Sequence, residues 1–180
     1  MKLELSDYKF IRLKSDTIIL PFDCNDTDLN GFLFDDAINY TNQLLAVTYL
    51  IHDGVKTIGY FNYINDKISH RDLDNNLEKF CSRIGVYMPI DKSKHKSYPA
   101  VKIGRLAIHK ENQNKGLGKI ILDYTKNSFT DKNKTGCKFI TVDAYKDSVN
   151  FYKKNGFKFL SNKDKKSDTR LMYFNLEALG

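Results

Sequence analysis

Residues Ile103–Leu122 read IGRLAIHKENQNKGLGKIIL. An alternating apolar run ends in a polar loop, the loop closes on Gln113-Asn114-Lys115-Gly116-Leu117-Gly118, and an amphipathic helical pattern begins at once. Period 2 followed by period 3.6 predicts a strand over Ala100–Ile108 and a helix over Gly116–Thr130, with Leu117, Ile120, Ile121 and Tyr124 on its inner face. A glycine-bearing turn that opens a helix is a ready anion site, because unpaired backbone N–H groups and the positive end of the helix dipole converge there.

At 180 residues the chain is long enough for one domain, 1–180, with a real hydrophobic core. Eleven Tyr and twelve Phe supply aromatic bulk in the absence of Trp. No apolar run is long enough to span a bilayer, and the acidic and polar residues of MKLELSDYKF break any secretory signal core. Both points favour the cytoplasm and argue against a membrane partner. Cys24, Cys81 and Cys137 are far apart, odd in number and without a CxxC or His/Cys cluster, so they read as reduced structural thiols and no metal site is expected. Charge is uneven: residues 1–90 carry net −4 and residues 91–180 net +11. A basic half beside an anion loop fits a phosphate-rich ligand or partner, although a solvated lysine surface gives the same count.

Upstream, residues 8–14 read as a short strand and Asn25–Tyr40 as a helix with Leu29, Phe32, Leu33, Ala37 and Tyr40 on one face. Leu44–His52 and Val55–Ile64 are β-rich runs around Asp53-Gly54, which predicts a hairpin with a two-residue loop. Residues 65–98 are polar, with one weak helical pattern and a basic stretch at Asp91–Lys96. Downstream come a strand over Lys138–Ala144, a short helix over Asp147–Asn155 stopped by Gly156, and strands over Phe157–Leu160 and Arg170–Leu176 around a lysine-rich turn. This order predicts a mixed α/β fold, a sheet with helices packed on it.

Two phosphate motifs are excluded. Gly118-Lys119 is followed by Ile120, so no hydroxyl stands where a P-loop needs one, and Ile121 fills the place of the third glycine of a dinucleotide fingerprint. Gly116 and Gly118 alone describe no more than a flexible turn.

The wider pattern is more specific. Gln113-x-x-Gly116-x-Gly118 between strand and helix resembles motif A of the GCN5-related N-acetyltransferase (GNAT) superfamily, and Asn150-Phe151-Tyr152-x-x-x-Gly156-Phe157 resembles its closing motif. The resemblance implies a GNAT-like fold: a central mixed, mostly antiparallel twisted sheet of about six to seven strands flanked by about four helices. It implies acetyl-CoA as acyl donor, with the diphosphate on the amides of Asn114, Lys115, Gly116, Leu117, Gly118 and Lys119, and with Gln113 in the same loop. Leu106, Ala107 and Ile108 would pair through their backbone with the pantetheine arm, and Asn150 would hydrogen-bond it. An amine would attack the thioester directly through a tetrahedral intermediate, with a backbone N–H near Ile108 as oxyanion donor and Tyr152 as the acid for the leaving sulfur. No general base is evident. Glu111, Asp143 and His109 are the nearest groups, and each reads equally as a bystander.

A finer resemblance covers nearly the whole chain. Pro21-Phe22-Asp23-Cys24-Asn25, Tyr98-Pro99-Ala100, Ile103-Gly104-Arg105-Leu106-Ala107-Ile108 and Val142-Asp143-Ala144 are similar to the GNAT toxins of type II toxin–antitoxin pairs. This implies acetylation of the α-amine of aminoacyl-tRNA, a block of translation, a cognate DNA-binding antitoxin, and a homodimer as one possible assembly. Lys92, Lys94, Lys96, Lys153, Lys154, Lys163, Lys165 and Lys166 could meet RNA phosphates. Two alternatives stay open at this point: a GNAT enzyme for a small amine or a protein N-terminus or lysine, and a non-catalytic acyl-CoA-binding module.

Overall fold

The structure is a computed structural model that describes residues 8–73, 77–84, 97–131 and 135–179. In chain order the strands are β1 (Phe10–Arg12), β2 (Val47–His52), β3 (Thr57–Ser69), β4 (Ser97–Ile108), β5 (Phe139–Tyr145), β6 (Lys158–Phe159) and β7 (Thr169–Asn175). The helices are α1 (Thr27–Gly31), α2 (Ala37–Asn42), α3 (Leu77–Ile84), α4 (Leu117–Thr130) and α5 (Val149–Lys154), with a π-helical turn, Phe32–Asp36, joining α1 to α2 in one continuous run. The seven strands form one sheet in the order β1-β2-β3-β4-β5-β7-β6. The β1/β2, β2/β3, β5/β7 and β6/β7 pairs are antiparallel. This is the mixed α/β, mostly antiparallel architecture that the sequence predicts.

The chain clusters into two compact units: Met1–Ile64 with Ile103–Ser128, and Asn65–Lys102 with Phe129–Gly180. In the first, strand alternation separates two chemistries. Leu50 and Tyr60 join Leu13, Phe22, Phe32, Leu33, Ala37 and Ala107 in a buried core, where each large side chain adds about 1.5–3 kcal/mol of burial. Tyr60 is wholly buried, yet its hydroxyl donates to the Leu29 carbonyl at 2.7 Å and so keeps a partner. Of the opposite residues, Tyr49 and Phe61 meet Tyr124 of α4, which stacks on Phe10 at 4.0 Å, and Tyr63 packs against Tyr49 and Phe61. The Tyr63 hydroxyl donates to Thr125 Oγ1 at 2.9 Å.

The second unit has its own core of Ile68, Leu73, Phe80, Ile84, Ala100, Phe139, Leu160 and Tyr173. β7 lies between β5 and β6, pairing Val142 with Met172 on one side and Phe159 with Met172 on the other. α5 is followed by Asn155 and Gly156, and the φ of +88° at Gly156 favours glycine, whose absent side chain leaves room for Phe174.

Three sequence expectations need correction. The β2–β3 connection holds four residues, Asp53–Lys56, not two: Asp53 Oδ1 accepts from the amides of both Val55 and Lys56 at 2.9 Å, and the register shifts at Ile51/His52. The helix over Asn25–Tyr40 is not uniformly α, because the Ala37 amide reaches back to the Phe32 carbonyl across a π turn. The polar stretch from residue 65 begins as strand, with β3 continuing to Ser69. The basic stretch Asp91–Lys96 lies outside the described residues.

Candidate functional site

The glycine loop is built by three devices. Lys110–Asn112 forms a 3-10 turn capped by His109, whose Nδ1 accepts from the Glu111 amide at 3.3 Å. Gln113 then turns its side chain back, and Nε2 donates to the carbonyls of Ile108 and Cys24, both at 3.1 Å. Asn114 and Gly116 take left-handed φ values of +60° and +90°. Successive backbone turns of this kind point amides into a common concavity. The first α4 hydrogen bond runs from the Ile120 amide to the Gly116 carbonyl at 3.3 Å, and among the described residues no acceptor reaches the amides of Lys115, Gly116, Leu117, Gly118 or Lys119. A Cβ built on Gly116 would meet open space. Five donors, a helix N-terminus and bare backbone fit an anion the size of a diphosphate.

The two loop lysines differ. Lys119 is tied to Asp123 one turn along α4, whereas Lys115 is exposed and makes no ion pair with a described residue. Leu106 and Ile108 are half-buried on β4 and Ala107 is in the core. The Gln113 amide is committed to two carbonyls, so its part in the loop is to hold the turn against the end of β4. The Asp23 carboxylate receives Lys110 Nζ at 2.8 Å and Asn30 Nδ2 at 3.0 Å, and these bonds with that from the Asn25 amide hold its pKa far below the usual carboxylate range.

In the second unit Tyr152 sits mid-helix on α5 and is 6% exposed, packed edge-on against Phe151 and Phe157. Burial pushes its phenol well above the ordinary tyrosine pKa. Asn150 is exposed on the same helix. Lys153, Lys154, Lys163, Lys165 and Lys166 are exposed, with Lys153 over the Phe159 ring and Lys163 donating to the Arg71 carbonyl. Lys92, Lys94 and Lys96 lie outside the described residues.

Each acidic group considered as a base is already engaged. Glu111 pairs with Lys56, and Asp143 accepts from Lys102 at 2.7 Å. His109 is buried edge-on against Phe22. Among the described residues no group of three or more His, Cys, Asp or Glu could hold a metal ion, and no described helix is long and apolar enough to cross a membrane. Sequence reading assigned no work to the side chain of Arg105 or to Asn62. The available signals were an arginine between Ile103 and Leu106 on β4 and an amide between Phe61 and Tyr63 on β3.

A mixed sheet whose β4 hands over to α4 through an open amide loop is the architecture of an acyl-CoA-dependent N-acetyltransferase. Residues 85–177 match the family described as "Acetyltransferase (GNAT) domain", which is more than half of the chain, and the protein belongs to that family. No curated protein matches the sequence. Among solved structures, a bacterial toxin superposes with a TM-score of 0.77 at 16% identity, covering 96% of this chain and 92% of the other. AtaT complexed with acetyl-methionyl-tRNAfMet gives 0.74 at 20% identity, covering 96% and 97%. A mutant AtaT toxin bound to the C-terminus of the antitoxin AtaR and acetyl-CoA gives 0.71 at 19%, covering 96% of each chain. At these identities the likeness defines the fold.

Proposed function

We propose that this protein is a cytoplasmic GNAT toxin, one domain over 1–180, that moves the acetyl group of acetyl-CoA to the α-amine of an aminoacyl group carried on tRNA, and that a DNA-binding antitoxin neutralises it. The observation that carries the reading is the row of unpaired amides from Lys115 to Lys119 at the mouth of α4. Its likeness to structures in which AtaT holds acetyl-methionyl-tRNAfMet, or AtaR and acetyl-CoA, supports the acceptor and the partner.

Each residue then has a task. Asn114 to Lys119 receive the diphosphate, with Lys115 as the uncommitted charge. Gln113 keeps the Ile108 carbonyl and the loop in fixed register. The backbone of Leu106 to Ile108 aligns the acyl arm, and an amide near Ile108 receives developing negative charge on the thioester oxygen. Asn150 binds the arm from α5, and Tyr152 protonates the leaving sulfur. Its buried phenol stays protonated at neutral pH, which keeps the donor loaded. The two acidic candidates, Glu111 and Asp143, are both paired with lysines, which suits an acceptor whose amine is already neutral, and esterification lowers the pKa of an α-amine in that way.

The test is direct. Purified protein incubated with radiolabelled acetyl-CoA and charged total tRNA transfers label to the RNA fraction. Label recovered only on small amines or protein would replace this reading with a GNAT enzyme of another acceptor class. No transfer to any amine, with acetyl-CoA bound, would leave a binding module.

A further inference from the structure

Arg105 stands on β4 three residues before Ile108, about 10 Å along the strand. Its guanidinium carbon lies over the Phe32 ring, 3.8 Å from the centroid, where the π turn presents that ring. Nε is buried without a hydrogen-bond partner, and no described carboxylate lies within ion-pair distance of the group. Asp26 and Asp28 are near enough to influence Tyr60, yet neither closes on Arg105. A half-buried guanidinium with no counter-charge has lost water without gaining an anion, which is an expensive state for an arginine held by the fold alone.

The surroundings repeat the pattern. Asn62 is fully buried on β3, and its Oδ1 accepts from the Arg105 amide at 2.8 Å, which fixes the backbone under the side chain. Asn62 Nδ2 has no partner, nor does Oγ1 of Thr48, which is fully buried and lies opposite Asn62 in the β2/β3 register. Alternation puts Thr48 with Leu50 and Asn62 with Tyr60, on the sheet face that packs against Phe32. Three neighbouring strands thus each offer an unpartnered polar atom on one face, and two of the three are donors only.

We infer that Arg105 is a binding residue for the acceptor and receives a phosphate oxygen of the acceptor's terminal nucleotide. This rests on the function proposed above and adds to it the group that the acceptor must carry. A planar guanidinium pre-oriented by an aromatic ring suits phosphate, because it presents two parallel N–H groups without reorganising. The spacing also fits. The phosphate before a terminal ribose lies on the same scale from an esterified α-amine as the reach from Ile108 to Arg105. The other two orphans, Asn62 Nδ2 and Thr48 Oγ1, make the floor polar under that phosphate.

The experiment compares wild type, Arg105→Lys and Arg105→Met on two acceptors: charged total tRNA, and aminoacyl-adenosine, which carries the same ester and amine and no phosphate. With Arg105→Met the KM for charged tRNA rises about ten- to hundred-fold, the loss of a charge-assisted hydrogen bond, while kcat, the KM for acetyl-CoA and the KM for aminoacyl-adenosine hold. Arg105→Lys falls between, since it keeps the charge and the stem over Phe32 and loses the fork; it carries the test if the methionine variant does not fold. Equal losses on both acceptors, or an unchanged KM on charged tRNA, overturn the inference alone. A wild type that leaves charged tRNA unlabelled overturns the parent reading and this one with it.

Discussion

Gln113 donates its side-chain amide to the Ile108 carbonyl at 3.1 Å, so the residue that opens the glycine loop is clamped to the last residue of the strand before it. The same nitrogen reaches the Cys24 carbonyl. Gln113→Glu replaces a donor by an acceptor facing two carbonyls. The loop then loses its brace, and the Kd for acetyl-CoA by calorimetry rises at least about tenfold, as two hydrogen bonds turn repulsive. Gln113→Ala produces a smaller rise.

Gly116 is a conformational requirement and not a steric one, because its Cβ would meet open space while its φ is +90°. Gly116→Ala therefore destabilises by about 1–2 kcal/mol through backbone strain, a drop of about 2–8 °C in Tm for a chain of this size. Gly116→Asn recovers part of that loss, since Asn enters the left-handed region more readily. Thermal melts of the three proteins check the order Gly, Asn, Ala.

Tyr152→Phe removes one oxygen from a packed ring and leaves its contacts with Phe151 and Phe157 in place. Acetyl-CoA affinity and Tm stay within error, and kcat falls about 10²-fold or more, the usual weight of a general acid. Because burial raises the phenol's pKa, kcat/KM of the wild type climbs with pH until the acceptor amine is neutral and stays level to about pH 10. A descending limb between pH 7 and 9 that vanishes in Tyr152→Phe would contradict the assignment.

Buried tyrosines also set the alkaline limit of stability. Burial raises the pKa of Tyr60, Tyr63 and Tyr152, and pushes Tyr98 up to about 12. The unfolded chain releases these protons from about pH 10, where the folded chain still holds them. The unfolded state then binds fewer protons, so stability is intact below that pH and falls as pH rises through the folded values. Urea midpoints between pH 8 and 11 by circular dichroism should drop steadily above pH 10, and less steeply in Tyr60→Phe.

Gly104, the one glycine of β4, is tightly enclosed. A methyl there would come within 2.6 Å of both Asn62 Oδ1 and Ile64 Cδ1. Ile64 can yield at its tip, but Asn62 Oδ1 is held by the Arg105 amide. Gly104→Ala breaks that bond and costs about 1–3 kcal/mol of stability, measured by urea denaturation. Combined with Asn62→Ala the penalty shrinks, since the obstructing atom is gone.

Legibility followed locality. The β4–loop–α4 handover and the α5 stop at Gly156 are contiguous patterns, and the sequence places both within a residue or two. The π turn was invisible because Phe32, Leu33 and Ala37 satisfy an apolar face in either helical form. The hairpin loop was misjudged because Asp53-Gly54 looks complete, whereas Asp53 caps two further amides and lengthens the turn. The placement of β7 between β5 and β6 depends on pairings that no local window contains. In the candidate site the backbone donors could be read from glycines and helix onset, but the duty of Gln113 toward Ile108 and the bare guanidinium of Arg105 emerge only from packing.

The widened turn at Phe32–Asp36 absorbs one more residue than a regular helix needs. Each helical residue adds about 1.5 Å and about 100° of rotation, so a surplus residue in a regular helix would swing Ala37 and all of α2 around the axis; the widened turn takes it up instead, and removing it would close the turn to plain α-helix and change how the Phe32 ring is presented beneath Arg105. Segment length is thus itself a tuning variable: a single-codon deletion could reset what the ring supports while leaving every other letter of the protein untouched.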